Sequence, residues 1–98
     1  MPIIEFHPEA VDDVEAAQEW YMERSFVAAH AFLAELSHAV TLVKESPDTW
    51  PKHIHSTRRY VFPTFPFSLV YRKHENVIQV VAVEAHKKKP GYWKGRGK

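Results

Sequence analysis

Cysteine is absent from this 98-residue chain. Disulfides, thiolate nucleophiles and cysteine-ligated zinc are therefore excluded, and the chain suits a reducing compartment. Glycine is scarce as well, and its three occurrences all fall in the last eight residues, at 91, 95 and 97. Phosphate-binding loops, nucleophile elbows and His-Glu zinc motifs are missing, which removes the common enzyme signatures. The sequence shows no apolar stretch approaching membrane-spanning length, and its opening, MPIIEFHPEA, has neither a basic start nor an apolar run. A protein without membrane span or signal peptide, located in the cytoplasm, is expected.

Acid is lacking in one place. From His86 to Lys98 there are six Lys or Arg and no Asp or Glu, whereas the preceding residues carry seven bases and twelve acids. The formal net charge of +1 conceals this division. Seven of the acids gather between Glu5 and Glu23, ahead of the first base, Arg24. Two opposed fields on one small protein imply a polyanionic partner for the basic part, with the acidic face left to solvent.

The remaining composition, 45% hydrophobic and 26% charged, is that of an ordinary globular protein. The length allows one core that buries roughly two-thirds of the unfolded chain's surface, so a single domain, 1–98, is expected.

IIEF suits a short strand, and His7-Pro8 ends it, since proline is favoured in the first turn of a helix. Val11, Val14, Ala17 and Tyr21 then recur at helical spacing with acids between them, predicting an amphipathic helix from Pro8 to about Arg24. Ser25 is a natural N-cap for a second helix, whose face is marked by Ala29, Phe32, Leu36, Val40 and Val43 and which Pro47 stops. A loop over 46–56 leads into a different periodicity. RRYVF, FSLVYRK and VIQVVAVEAH are rich in β-branched and aromatic residues, and the polar turn KHEN separates the last two. The chain therefore reads as α+β: an N-terminal strand, a helical hairpin, then a three-stranded antiparallel meander, with the helices covering one sheet face.

Side-chain alternation sorts the strands. Phe67, Leu69 and Tyr71 belong to the core, which turns Arg72 to the opposite face together with one of the arginines of RRY. In the last strand, strict alternation puts Ile78, Val80, Ala82, Glu84 and His86 on one face. Side chains able to do chemistry are concentrated in this half: Arg58, Arg59, Arg72, His86, Lys87, Lys88, Lys89, Tyr92 and Arg96. His53 and His55 have chelating spacing, but the sequence places no third ligand, so no metal and no cofactor are expected.

The succession RRYVFPTFPFSLVYR, VIQVVAVEAH, KKKPGYWKGR resembles the RelE/ParE superfamily of bacterial toxin-antitoxin toxins, also called plasmid stabilisation proteins. The Pro-started acidic helix with WY near its end, and the second helix finishing in ESP, agree with it. The resemblance spans nearly the whole chain and is carried most specifically by FPFSLVYR and by His86-x-x-x-Pro90-x-Tyr92-Trp93. It implies a RelE/ParE-like fold and a small cytoplasmic toxin, neutralised in a hetero-oligomer by a cognate antitoxin that wraps it with a helical or extended segment.

Two mechanisms are implied by the superfamily. A ParE-like toxin poisons DNA gyrase without hydrolytic residues. A RelE-like toxin cleaves mRNA on the ribosome, and needs a group for the 2′-hydroxyl, positive charge for the phosphorane and an acid for the leaving oxygen. For cleavage the resemblance points to Arg58, Arg59, Arg72, His86 and Tyr92. The segment DTWPKHIHSTRR has one lysine where several ribosome-dependent nucleases are lysine-rich, which favours the ParE-like reading. A third alternative is an interaction protein without toxicity, acting only in the toxin-antitoxin complex on operator DNA. Within the basic segment 86–98, Pro90 and Gly91 shape the chain, while Tyr92 and Trp93 supply anchors that fold back on the sheet. Lys87, Lys88, Lys89, Trp93 and Arg96 are then a docking element for an anionic surface.

Overall fold

The computed structural model describes residues 2–96; Met1 and the last two residues of the basic segment, Gly97 and Lys98, lie outside the described residues. Strand β1 (Ile3–Phe6) leads into helices α1 (Pro8–Met22) and α2 (Phe26–Glu45), and these into β2 (Lys52–His53), β3 (Thr57–Val61), β4 (Phe67–His74) and β5 (Val77–Ala85). All five strands form one sheet in the order β1-β5-β4-β3-β2. β1 runs parallel to β5 and the other neighbours are antiparallel. The expected architecture is present, with one addition: β2 is a two-residue edge strand inside the stretch expected to be a loop.

The helix ends follow from capping. His7 Nδ1 accepts from Glu9 N at 3.1 Å, and Pro8 sits where a helical N–H would have no partner. Ser25 Oγ accepts from Ala28 N at 3.1 Å and starts α2. The buried stripe of α1 is Ala10 and Ala17 with Val14 and Tyr21 beside them, while Val11 is exposed. Val14, Ala17 and Tyr21 thus lie on the expected face, and Ala10 takes the place expected of Val11. α2 packs through Ala29, Phe32, Leu36, Ala39 and Val43. Contrary to the sequence expectation, α2 is long and apolar enough to cross a membrane. Its polar positions are spread too thinly to lower the average, and its larger apolar side chains, Phe32, Leu36 and Val43, close the core.

From the sheet, Tyr60, Leu69, Tyr71, Ile78, Val80 and Val83 face the helices. Burial pushes the Tyr71 hydroxyl up to about 12, so it stays a neutral donor and reaches Pro47 O at 2.5 Å, holding the exit from α2.

The β4–β5 ladder shifts register between Val70 and Tyr71: Val70 pairs with Ala82, but Tyr71 pairs with Val80. Val81 is the extra residue of a β-bulge, and a bulge reverses the alternation beyond it. Ile78 and Val80 therefore face the helices, while Ala82 belongs to the opposite cluster with Val70 and Trp93. Glu84 lies on that opposite face as well, where Trp93 bonds to it. The single face expected for Ile78 through His86 is corrected here. β1 matches only the first half of β5, from Val77 to Val80, which leaves the second half of β5 with an open edge toward α1.

Candidate functional site

Beyond Ala85 the chain makes a series of turns. His86 N donates to Pro66 O and Lys88 N to Ala85 O, both at 3.0 Å, which ends the strand. Gly91 has φ +80°, a conformation that calls for glycine, and it packs under the Ile54 and His55 side chains. Lys94 N to Gly91 O and Arg96 N to Trp93 O then close two further turns at 2.9 Å. The expected return of the basic segment onto the sheet is what the structure has. Trp93, 1% exposed, covers Val70, Val81 and Ala82.

Two acids fasten this segment. Glu84, 4% exposed, accepts from Trp93 Nε1 at 2.5 Å, and its other oxygen lies 3.5 Å from His53 Nε2. Burial, the larger effect, lowers the pKa of His53; the Glu84 charge opposes this and the Arg59 charge adds to it. Asp13 takes Arg96 in a two-pronged pair, Nη1 to Oδ2 at 2.7 Å and Nη2 to Oδ1 at 3.3 Å. Asp13 also accepts from Val83 N at 3.1 Å, while Arg96 Nη1 donates to Val81 O at 3.2 Å. The pair thus caps the open edge of β5 where β1 stops. The acidic helix is therefore not wholly a solvent face: Asp13 is 8% exposed and tied to the segment of opposite charge.

Between α1, the end of β5 and the C-terminal segment lies a groove of about 610 Å³. Ala16, Ala17, Tyr21, Phe67, Val83 and Ala85 make it apolar; Glu9 and Asp12 line it from α1, and Lys87 and Lys88 from the C-terminal side. Trp20 also lines it, 45% exposed, with the Arg24 guanidinium 3.6 Å above its ring and Lys87 Nζ at 5.8 Å.

The candidate cleavage residues are dispersed. Arg58 is on the helix side of β3, its Nη1 donating to Trp50 O at 2.7 Å. Arg59 and Arg72 are on the other face, on neighbouring strands, and Arg72 Nε is buried with no hydrogen-bond partner among the described residues. His86 Nε2 is 2.8 Å from Ser68 Oγ. Tyr92 lies in the groove wall, with Lys88 and Arg96 over its ring at 4.8 and 5.2 Å. Burial foremost, then the Asp13 charge, raises its pKa. Arg59, His86 and Lys88 do converge, around a smaller pocket of about 310 Å³. Lys89 is exposed. Sequence reasoning missed Asp13 and Glu84. A signal existed for Glu84, since a lone acid inside VAVEA must find a buried partner.

A sequence model described as the ParE toxin of the type II toxin-antitoxin system, parDE, matches residues 4–90. The chain belongs to the ParE toxin family. A comparison with curated proteins gives no match. Among solved structures, the chromosomal ParDE toxin-antitoxin system from P. aeruginosa is similar with a TM-score of 0.76, at 17% identity, over 87% of this chain and 96% of that one. The likeness confirms the fold of a ParE toxin. The matched family stretch ends at Pro90, so the Trp93 and Arg96 anchors lie beyond it.

Proposed function

We propose that this ParE-family protein is a cytoplasmic toxin that arrests growth by binding a macromolecular machine, DNA gyrase first among targets, and is held inactive by a cognate antitoxin. The observation that carries this reading is the dispersal of the groups RNA cleavage requires. Arg58 is spent on Trp50 O across the sheet from Arg59, and His86 is engaged by Ser68. Arg59 and His86 share one small pocket, but Arg58 faces the helices and Tyr92 the larger groove, so the full set that would serve both sides of one phosphate is not gathered there. Exposed Lys87, Lys88 and Lys89 instead suit contact with an anionic surface such as a gyrase–DNA complex.

The test is pulse labelling of DNA, RNA and protein synthesis within minutes of inducing the chain alone, together with a supercoiling assay on purified gyrase. DNA synthesis failing first, with supercoiling inhibited, is the expected outcome. A second reading draws on the convergence of Arg59, His86 and Lys88, which could hold a phosphodiester. On that reading protein synthesis fails first, and His86→Ala abolishes mRNA cleavage while the protein stays folded.

A further inference from the structure

We propose that the sheet face turned away from the helices binds the phosphate backbone of duplex DNA, holding it with Arg59 and Arg72 from the sheet and with Lys89 and Lys94 from the C-terminal segment that crosses it. The inference goes beyond the reading above, because the contact is with DNA itself and requires no gyrase.

Two arginines carry it. Arginine is seldom taken out of water without a partner. Three of the five arginines obey this: Arg24 donates to Trp20 O, Arg58 to Trp50 O and Arg96 to Asp13. Arg59 and Arg72 do not. Both are half-buried, yet among the described residues neither guanidinium makes an ion pair or a hydrogen bond, and Arg72 Nε is a buried donor with no acceptor. Arg59 is opposite Val70, and Arg72 lies two residues further along β4 on the same face, so the two are attached on a diagonal about 7–8 Å apart. The planar fork of a guanidinium matches the oxygens of a phosphate, and two such forks suit neighbouring phosphates better than one small ion.

The acids of this face leave the arginines uncompensated. Glu84 is buried and turned to Trp93 and His53. Glu5 is opposite Gln79, which in turn is opposite Arg72, so it stands two strands away, about 10 Å, on the far edge of the sheet. The acidic helix α1 packs on the other side, and a duplex on this face is kept clear of its charges.

Trp93 points to a duplex rather than a single strand. Its ring, 1% exposed, is sunk against Val70, Val81 and Ala82, and Tyr92 belongs to the groove on the α1 side. Among the described residues, this face therefore offers no free tryptophan, tyrosine or phenylalanine ring for an unpaired base. Single-strand binding relies on such stacking platforms, whereas backbone contact with a duplex needs only donors and positive charge. The segment that buries Trp93 supplies more of that charge in exposed Lys89 and Lys94.

The experiment titrates the purified full-length chain into a short fluorescein-labelled duplex and follows anisotropy over a range of salt concentrations. Four phosphate contacts give a log–log slope of about −3.6. Arg59→Gln combined with Arg72→Gln should weaken binding roughly tenfold or more and halve the slope to about −1.8. Lys89→Gln combined with Lys94→Gln changes only exposed side chains and should halve the slope likewise. Lys44→Gln removes a charge from α2, behind the sheet, and should leave affinity and slope unchanged. Circular dichroism melting verifies folding, and the lysine pair decides the question should the arginine pair unfold. No binding by the native chain at low salt would overturn the proposal, as would a slope that neither pair of substitutions alters. Tighter binding of single-stranded RNA of equal length would overturn the assignment to duplex DNA. Because gyrase is absent from the assay, failure here leaves the gyrase reading standing, and failure of that reading leaves this result intact.

Discussion

Trp93 shows how much one side chain does at the end of this chain. Its ring covers Val70, Val81 and Ala82, and its N–H is the direct hydrogen-bond donor to a buried carboxylate. Trp93→Ala should cost about 3–5 kcal/mol, since it opens a cavity and leaves Glu84 without that donor. Trp93→Phe keeps most of the ring and removes the donor, and should cost about 1–3 kcal/mol. Urea denaturation of the two variants separates packing from hydrogen bonding. His53 supplies a pH dependence at the same place. Its folded pKa lies below the ordinary 6.5 because of burial, with Glu84 opposing, and Arg59 and His55 reinforcing, that direction. As pH falls below 6.5 the unfolded chain takes up the proton first, so stability present above 6.5 declines through the window down to the lowered folded value. His53→Gln should flatten that decline in melting temperature measured across mildly acidic pH.

At the level of elements, the bulge at Val81 decides which side chains meet the helices. Deleting Val81 would remove the extra residue and leave Ala82 and Glu84 on the face away from the helices, at the loss of one side chain packed with Val70 and Trp93. A protein that still melts cooperatively, at a lowered temperature, is the expected result, and Val81→Ala, which keeps the bulge, should cost about 0.5–3 kcal/mol and leave a folded protein. The same bulge marks the boundary of what the sequence could reveal. Helix faces were legible because residues such as Phe32, Leu36 and Val43 repeat at the helical period, and Ser25 and Pro47 are chemical punctuation. Strand identity was legible from composition. The sides of β5 were not, because an extra residue in a ladder leaves no trace in a run as uniform as VIQVVAVEA. Tyr92 and Trp93 announced that the basic segment folds back. Its fastening by Asp13 and Glu84 depends on pairings 83 and 9 residues apart, which no local pattern encodes.

For the whole molecule, charge separation is only partly real: Arg96 is spent internally on Asp13, and Lys87, Lys88 and Lys89 stay exposed. Replacing these three lysines together by Ala should leave the melting temperature nearly unchanged, as expected for surface sites. Binding to the proposed gyrase–DNA target, measured against salt concentration, should weaken and lose part of its salt slope. The topology also sets an order in time. β1 is the first strand to be synthesised, yet its partner is the last, with Ile3 opposite Val77. While the chain is being translated, the helical hairpin can form but has no sheet to lie on, and IIEF stays unpaired until β5 has emerged. Contacts of such long sequence separation are slow to form. A chain halted before β5 therefore lacks the partner of β1, and the toxin's sheet can be completed only after β5 has emerged.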